Sequence, residues 1–124
     1  MKNVLIVEDS KAIRSMIRVA LEEVGGFFAV EAGNGFEALK TLPTRQFDLI
    51  ITDINMPDIN GLELIGYVKS NPTYREIPLI IVSTEKSEED KKRGMALGAA
   101  GYVVKPFRKE GLVAMVMQAL GGKQ

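Results

Sequence analysis

The sequence of 124 residues contains neither cysteine nor histidine. Without cysteine the chain can form no disulfide scaffold, no thiolate metal site and no thiol nucleophile. Without histidine it lacks a Ser-His-Asp triad, an imidazole general base and the usual zinc ligand. Any metal that the chain binds must therefore be held by oxygen, which favours magnesium, calcium or manganese.

The chain also has no excess of charge and no long apolar run. Its 16 basic and 16 acidic residues give a formal net charge of zero, so bulk electrostatics indicates neither a nucleic-acid partner nor a membrane surface. The run Val4–Val7 is too short for a signal peptide or a membrane span. We therefore expect a cytoplasmic protein in which residues 1–124 form a single domain.

The stretch from Phe47 to Gly61 contains the central candidate site residue of the sequence. It opens with an apolar run typical of a strand that is buried on both faces of a parallel sheet. The run ends on Asp53, and turn-forming residues follow it. Asp53 is thus predicted at the carboxyl end of a central strand, where open α/β sheets bind their ligands.

Strands and helices are predicted to alternate along the whole chain. This order is typical of an α/β fold, a parallel sheet covered by helices on both faces. The predicted strands are Val4–Val7, Phe27–Val30, Phe47–Asp53, Leu79–Val82 and Tyr102–Val104. The predicted helices follow Ser10, Asn34, Asn60, Ser87 and Phe107, and Ile13, Met16, Ile17, Ala20, Leu21 and Val24 form the apolar face of the first.

Polar residues stand at four of these strand ends: Glu8 with Asp9, Asp53, Ser83 and Lys105. All carboxyl ends of a parallel sheet share one edge, so we expect these side chains to converge. Clustered carboxylates repel each other unless a cation intervenes, and a divalent ion with oxygen ligands meets that need. An ammonium and a hydroxyl beside such an ion suit a phosphoryl group, with Asp53 as the nucleophile that forms an acyl phosphate.

Taken together, the motifs resemble those of response regulator receiver domains. The resemblance rests on Glu8-Asp9, on Asp53-x-x-Met-Pro-x-x-x-Gly61, on Ser83 and on Lys105-Pro-Phe107, and it covers nearly the whole chain. The closest likeness is to single-domain chemotaxis regulators of the CheY type, which carry no output domain. The resemblance implies a flavodoxin-like, doubly wound sheet of five parallel strands in the order 2-1-3-4-5 with five helices.

The resemblance also implies the chemistry of the site. Asp53 would accept a phosphoryl group from a partner histidine kinase. Mg²⁺, with Mn²⁺ as a substitute, would be held by Asp9, Asp53 and the backbone carbonyl of Asn55, with Glu8 acting through water. Lys105 and Ser83 would bind the phosphoryl oxygens.

A conformational switch is implied as well. The Ser83 loop would move inward and Tyr102 would follow, altering the face formed by the last strand and the last two helices. Lys105-Pro106 would be a cis peptide. Asn55 and Glu85 should border the phosphoryl group and tune self-dephosphorylation.

The partners implied are a sensor histidine kinase, a downstream protein such as the flagellar motor switch, and a phosphatase. The role implied is signalling in chemotaxis or motility by a monomer that catalyses only its own phosphotransfer and dephosphorylation. We expect the cations on the output face to be solvated: Lys86, Lys91, Lys92, Arg93, Arg108 and Lys109.

Alternative interpretations remain at this stage. Gly33-x-Gly35-x-x-Ala38 followed by Asp53 resembles a dinucleotide-binding fingerprint. The same fold could serve as a phosphorelay intermediate that passes the phosphoryl group to a histidine phosphotransfer protein. An aspartyl phosphatase would need a second Asp where Asn55 stands, and an adaptor that never binds phosphate would not need this set of residues.

Overall fold

The computed structural model describes residues 1–84 and 88–121. Within these ranges five parallel strands form one sheet in the order β2-β1-β3-β4-β5, which confirms the predicted topology. The strands are β1 (Lys2–Val7), β2 (Phe27–Ala32), β3 (Leu49–Asp53), β4 (Leu79–Thr84) and β5 (Gly101–Lys105).

Five helices cover the two faces of this sheet, as predicted. They are α1 (Lys11–Val24), α2 (Gly35–Thr41), α3 (Gly61–Ser70), α4 (Glu88–Leu97) and α5 (Lys109–Gly121), and a 3₁₀ turn, Leu42–Thr44, follows α2. One core cluster joins α1 and α5 to the sheet, and the other joins α2 and α3 to the opposite face, where Gly94 of α4 lies against Ile81. The central strands β1, β3 and β4 are therefore largely buried on both sides, which explains their near-continuous apolar runs, whereas the edge strands β2 and β5 also carry exposed residues.

Polar side chains cap three of the helices. The Ser10 hydroxyl accepts a hydrogen bond from the Ile13 N–H at 3.3 Å, and the Asn34 side chain accepts one from Glu37 at 2.9 Å. Asn60 and Glu63 form a reciprocal capping box at the start of α3. These contacts satisfy backbone donors that a helix leaves free in its first turn.

Two local predictions are wrong. Phe47 is buried but precedes β3, which begins at Leu49. Met16 and Val24 are 54% and 42% exposed, because Met16 lies at the flank of the stripe that faces the sheet and Val24 is the last residue of α1. The predicted cap at Ser87 lies outside the described residues.

Candidate functional site

The site lies at the carboxyl edge of the sheet, where the strands end on polar residues. Asp53 is the last residue of β3 and Lys105 the last of β5, while Ser83 is the penultimate residue of β4. Glu8 and Asp9 follow β1 directly. Asp53, Glu8 and Ser83 are buried, whereas Asp9 is exposed at the rim.

Lys105 joins the two buried carboxylates. Its Nζ lies 2.8 Å from Glu8 Oε1 and 3.2 Å from Asp53 Oδ2. The Lys105 side chain is 15% exposed, and the carboxylates of Glu8 and Asp53 are 2% and 6% exposed, so water screens these charges weakly. The predicted convergence of these three residues is thus present in the structure.

Backbone amides hold the other carboxylate oxygens in place. The Ile54 N–H donates to Asp53 Oδ1 at 2.8 Å, and the Ser10 N–H donates to Glu8 Oε2 at 3.1 Å. Each carboxylate therefore accepts a hydrogen bond from a backbone amide at one oxygen and forms an ion pair with the Lys105 ammonium at the other.

The electrostatics reflect the burial of like charges. Burial raises the pKa of Asp53 and of Glu8 above their ordinary values, and the Lys105 ammonium offsets only part of this increase. Burial opposes the charge of Lys105, but the two carboxylates prevail and raise its pKa. The site thus contains two carboxylates, beside the rim residue Asp9, for one ammonium.

The residues present fit a divalent cation with oxygen ligands. One carboxylate oxygen each from Glu8, Asp9 and Asp53 lies within 4.8 Å of the others. Among the described residues, Glu8 Oε1 and Ser83 Oγ are buried without a hydrogen bond, and the former is in an ion pair with Lys105 Nζ. Mg²⁺ prefers oxygen ligands and is commonly held by one or two carboxylates together with waters, so this cluster fits it.

The turn after Asp53 depends on a close approach of two backbone segments. The Gly61 N–H donates to the Ile54 carbonyl at 2.9 Å. A Cβ at Gly61 would collide with the carbonyl oxygen of Asp53 and would lie 2.7 Å from Ile54 Cα. Glycine at this position therefore allows the start of α3 to pack against the end of β3.

The two residues predicted to tune dephosphorylation differ in what the structure shows. Asn55 is exposed two residues beyond Asp53, and its backbone N–H contributes a hydrogen bond that opposes the raised pKa of Asp53. Its role as a ligand or in dephosphorylation stays a prediction. Glu85 lies outside the described residues, and its predicted role is untested.

The predicted switch residues lie on neighbouring strands. Tyr102 is half-buried against the core, and its hydroxyl donates to the Thr84 carbonyl at 3.2 Å. Lys91 Nζ stands 4.8 Å from the centre of the Tyr102 ring. Burial raises the pKa of the Tyr102 hydroxyl, and nearby carboxylates add to this effect.

The output-face cations are mostly exposed, as expected. Lys91 is half-buried, and Lys86 lies outside the described residues. The exposed ones are Lys92, Arg93, Arg108 and Lys109.

Sequence reasoning missed one contact of the site. Arg14 in α1 donates from Nη1 to the backbone carbonyl of Glu8 at 2.7 Å. The sequence signal for this contact was the placement of Arg14 four residues after the cap Ser10, with Arg18 one turn later. Because a pair of basic residues on a helix is usually exposed to solvent, this signal did not predict the contact.

Comparison with known proteins identifies the family. The family model for the response regulator receiver domain matches residues 4–117. The chain belongs to this family. Receiver domains are the parts of two-component systems that histidine kinases phosphorylate, and they act on downstream targets.

Relatives of this receiver domain include both regulators of transcription and chemotaxis proteins. It is 37% identical to the phosphate regulon transcriptional regulatory protein PhoB of Pseudomonas aeruginosa over 96% of this chain, but it spans only 52% of that protein. It is 35% identical to the chemotaxis protein CheY1 of Helicobacter pylori, covering 94% of this chain and 95% of the relative.

A solved structure agrees with this assignment. The chemotaxis response regulator CheY4 of Vibrio cholerae is 38% identical, with a TM-score of 0.89 over 97% of this chain and 99% of that one. The predicted resemblance to receiver domains and the CheY-like fold are thereby confirmed. The receiver domain also has the predicted cis peptide, between Lys105 and Pro106.

The motif that resembled a dinucleotide fingerprint has a packing role in this receiver domain. A Cβ at Gly35 would lie 2.6 Å from Ile59 Cβ and 2.7 Å from the Ile59 carbonyl oxygen. Gly35 is thus needed where α2 begins against the loop after β3. Within residues 1–84 and 88–121, no helix is long and apolar enough to cross a membrane.

Proposed function

We propose that Asp53 accepts a phosphoryl group from the phosphohistidine of a sensor kinase. The observation that carries this proposal is the contact of Lys105 Nζ with both buried carboxylates, at 2.8 Å to Glu8 and 3.2 Å to Asp53. In the transfer, an Asp53 carboxylate oxygen forms a bond to phosphorus while the bond from phosphorus to the kinase nitrogen breaks. The product is an aspartyl phosphate, and the imidazole leaves on the kinase.

Two side chains of this site stabilise the phosphoryl group. The Lys105 ammonium already lies beside the attacking carboxylate, so it can stabilise the negative charge of the phosphoryl oxygens once the group is transferred. The Ser83 hydroxyl is fully buried and has no hydrogen-bond partner among the described residues, so it is free to donate to a new acceptor. A hydroxyl that gains a partner only after phosphorylation favours the phosphorylated state.

The metal ligands in this proposal are Glu8, Asp9, Asp53 and the backbone carbonyl of Asn55, with Glu8 acting through water. Mg²⁺, or Mn²⁺ in its place, supplies positive charge that offsets repulsion between these carboxylates and the incoming phosphoryl group. The close approach of the carboxylate oxygens of Glu8, Asp9 and Asp53, within 4.8 Å, supports this set.

We further propose that phosphorylation shifts the population of two arrangements of Ser83 and Tyr102. The output would be a change in the face formed by α4, β5 and α5 that a downstream protein recognises. Chemotaxis or motility is the proposed pathway, with a flagellar motor switch as the target and a phosphatase as a further partner. Matches of similar identity to PhoB and CheY1 are compatible with more than one output.

The organisation of the protein belongs to the same proposal. Residues 1–124 would act as a single receiver domain and as a monomer in the cytoplasm. The mutual coverage with CheY4, 97% and 99%, supports the proposal that residues 1–124 form one receiver domain.

The test is modification by a small phosphodonor, acetyl phosphate, with and without Mg²⁺. Intact mass spectrometry should detect one added phosphoryl group in the wild type when Mg²⁺ is present and none in Asp53→Asn. Asp58→Asn is the matched control because Asp58 is an exposed acid in the same loop. Its backbone φ of 65° is one that asparagine tolerates.

Modification that survives in Asp53→Asn, or that ignores Mg²⁺, would contradict the proposal. The phosphorelay alternative uses the same site and differs in the next step. Incubation of the phosphorylated protein with histidine phosphotransfer domains separates the two, because a relay intermediate passes its phosphoryl group on and a terminal regulator does not.

A further inference from the structure

The peptide bond between Glu8 and Asp9 joins two proposed metal ligands, and hydrogen bonds hold the backbone of Glu8 on both sides of its Cα. The Glu8 N–H donates to the Ala32 carbonyl of β2 at 3.1 Å. The Glu8 carbonyl accepts from Arg14 Nη1 at 2.7 Å. Because this carbonyl belongs to the peptide plane that leads into Asp9, the guanidinium sets the direction in which Asp9 leaves β1.

Arg14 is itself held by a carboxylate on the neighbouring strand. Its Nε donates to Glu31 Oε1 at 2.9 Å, and its side chain is only 17% exposed. The other oxygen of Glu31 accepts from Arg18 Nε at 2.6 Å. A planar guanidinium can donate to Glu31 and to the Glu8 carbonyl together in a fixed geometry, which a lysine ammonium cannot reproduce.

Arg14 and Arg18 differ in their second contact and in burial, since the Arg14 side chain is 17% exposed and the Arg18 side chain 36%. Both pair with Glu31, and both lie on the same side of α1, one turn apart. Arg18 has its second contact with Glu22, an exposed residue of the same helix, at 3.3 Å. Arg14 has its second contact with the backbone that carries the acidic pair.

We infer that Arg14 is a positioning residue for the metal site, and that Glu31 anchors it. The guanidinium fixes the Glu8–Asp9 peptide so that both carboxylates face Asp53 before a cation arrives. Groups that orient ligands in this way change metal affinity without touching the metal. The inference rests on the proposed function, since it assumes that Glu8, Asp9 and Asp53 bind Mg²⁺.

The test compares Arg14→Met with Arg18→Met in the unphosphorylated full chain. Each variant removes one positive charge and one contact to Glu31, and each keeps an apolar stem. The Mg²⁺ dissociation constant is measured by calorimetry, and the free energy of unfolding by urea titration. We expect Arg14→Met to weaken Mg²⁺ binding by about tenfold and Arg18→Met to leave it nearly unchanged.

A spectroscopic readout separates positioning from general damage. Without Mg²⁺, Arg14→Met should shift the amide resonances of Asp9 and Ser10, while those of Asn60 and Glu63, in a distant cap, stay in place. If Arg14→Met does not fold, Arg14→Lys retains the charge but not the planar fork, and we expect it to bind Mg²⁺ less tightly than the wild type.

Three outcomes are decisive. Equal weakening in Arg14→Met and Arg18→Met overturns the inference, as does wild-type affinity in the Arg14 variants. Both results leave the proposed function standing, because the wild type still binds Mg²⁺. A wild type that binds no Mg²⁺ instead contradicts the metal set of the proposed function itself.

Discussion

Lys105 Nζ lies 3.2 Å from Asp53 Oδ2, although the strands that carry these residues are not neighbours. β4 separates β3 from β5, so the lysine side chain reaches across the end of β4. It continues to Glu8, which follows β1 on the far side of β3. One ammonium thus connects the end of β5 to the ends of β3 and β1, neither of which is a sheet neighbour of β5.

Replacing Lys105 by methionine should destabilise the protein in a way that depends on pH. At pH 7 the variant leaves two buried carboxylates without their cation, and we expect a loss of about 3 kcal/mol in the free energy of unfolding. The loss should shrink in acid, because Glu8 and Asp53, whose pKa values burial already raises, then bind protons. Urea titration at several pH values measures both effects.

Lys109→Met is the matched control for this variant. Lys109 pairs with Glu23 at 2.8 Å, but both side chains are about half exposed. Such surface pairs contribute little, so the control should change stability little or not at all. Equal losses in the two variants would mean that the Lys105 contacts are no stronger than a surface pair.

Asp53→Asn should stabilise the metal-free protein at neutral pH. Burial raises the pKa of Asp53 above its ordinary 3.8. A folded state with a raised carboxyl pKa binds more protons than the unfolded state, so wild-type stability falls as pH rises through the folded pKa. The amide cannot titrate, so we expect the variant to be more stable than the wild type at pH 7, with a smaller gain as the pH falls.

This comparison is best made between about pH 5 and pH 7. Arg14 and Arg18 overcome the effect of burial and lower the pKa of Glu31 below 4.5, so its contribution is lost only at still lower pH. Added Mg²⁺ should stabilise the wild type more than Asp53→Asn. A variant that is less stable than the wild type throughout this range would contradict the electrostatic account.

Much of this arrangement could be predicted because the ends of buried strands can be recognised in the sequence. The apolar runs before Glu8, Asp53 and Lys105 indicate buried parallel strands, and a parallel sheet brings their carboxyl ends to one edge. That rule depends on order along the chain alone. It therefore located the acids, Ser83 and the lysine without any knowledge of distances.

Contacts that depend on side-chain direction could not be predicted in this way. Arg14 reaches the Glu8 carbonyl because its place on α1 faces β2, and only the packing of the helix decides this. Met16 has the right spacing for the core, yet it is exposed because the buried stripe of α1 is narrow. Gly61 was recognised as a motif residue, but the backbone that excludes a Cβ was visible only in the structure.

Gly61→Ala should be costly, because the added Cβ meets backbone atoms that cannot move aside. The collision involves the Asp53 carbonyl and Ile54 Cα. We expect a loss of about 3 kcal/mol in the free energy of unfolding and weaker modification of Asp53. Gly66→Ala, in the same helix, has no atom within 4 Å of the new Cβ and should gain about 0.5 kcal/mol. If both glycines tolerate alanine equally, the close approach is not a constraint.

The proposed switch can be tested with an acyl-phosphate mimic, beryllofluoride with Mg²⁺, observed by nuclear magnetic resonance. The mimic should shift the amide and ring resonances of Tyr102, while those of Tyr67, an exposed tyrosine of α3, stay in place. Identical spectra of the output face with and without the mimic would contradict a population shift.

Ser83→Ala isolates the hydroxyl in the same experiment. Ser83 Oγ has no hydrogen-bond partner among the described residues, so its removal should leave the stability of the free protein nearly unchanged. The response of Tyr102 to the mimic should nevertheless decrease, because the hydroxyl can no longer bind the mimic. A full response in Ser83→Ala would mean that another group transmits the signal.

The most direct test of the account is the location of the phosphoryl group. After reaction with acetyl phosphate and Mg²⁺, borohydride reduction marks an acyl phosphate, and mass spectrometry of the tryptic peptide from Gln46 to Lys69 locates the mark. The account predicts the mark on Asp53 alone, although Asp48 and Asp58 lie in the same peptide. A mark on another acid, or none under conditions in which the protein is folded and binds Mg²⁺, would contradict it.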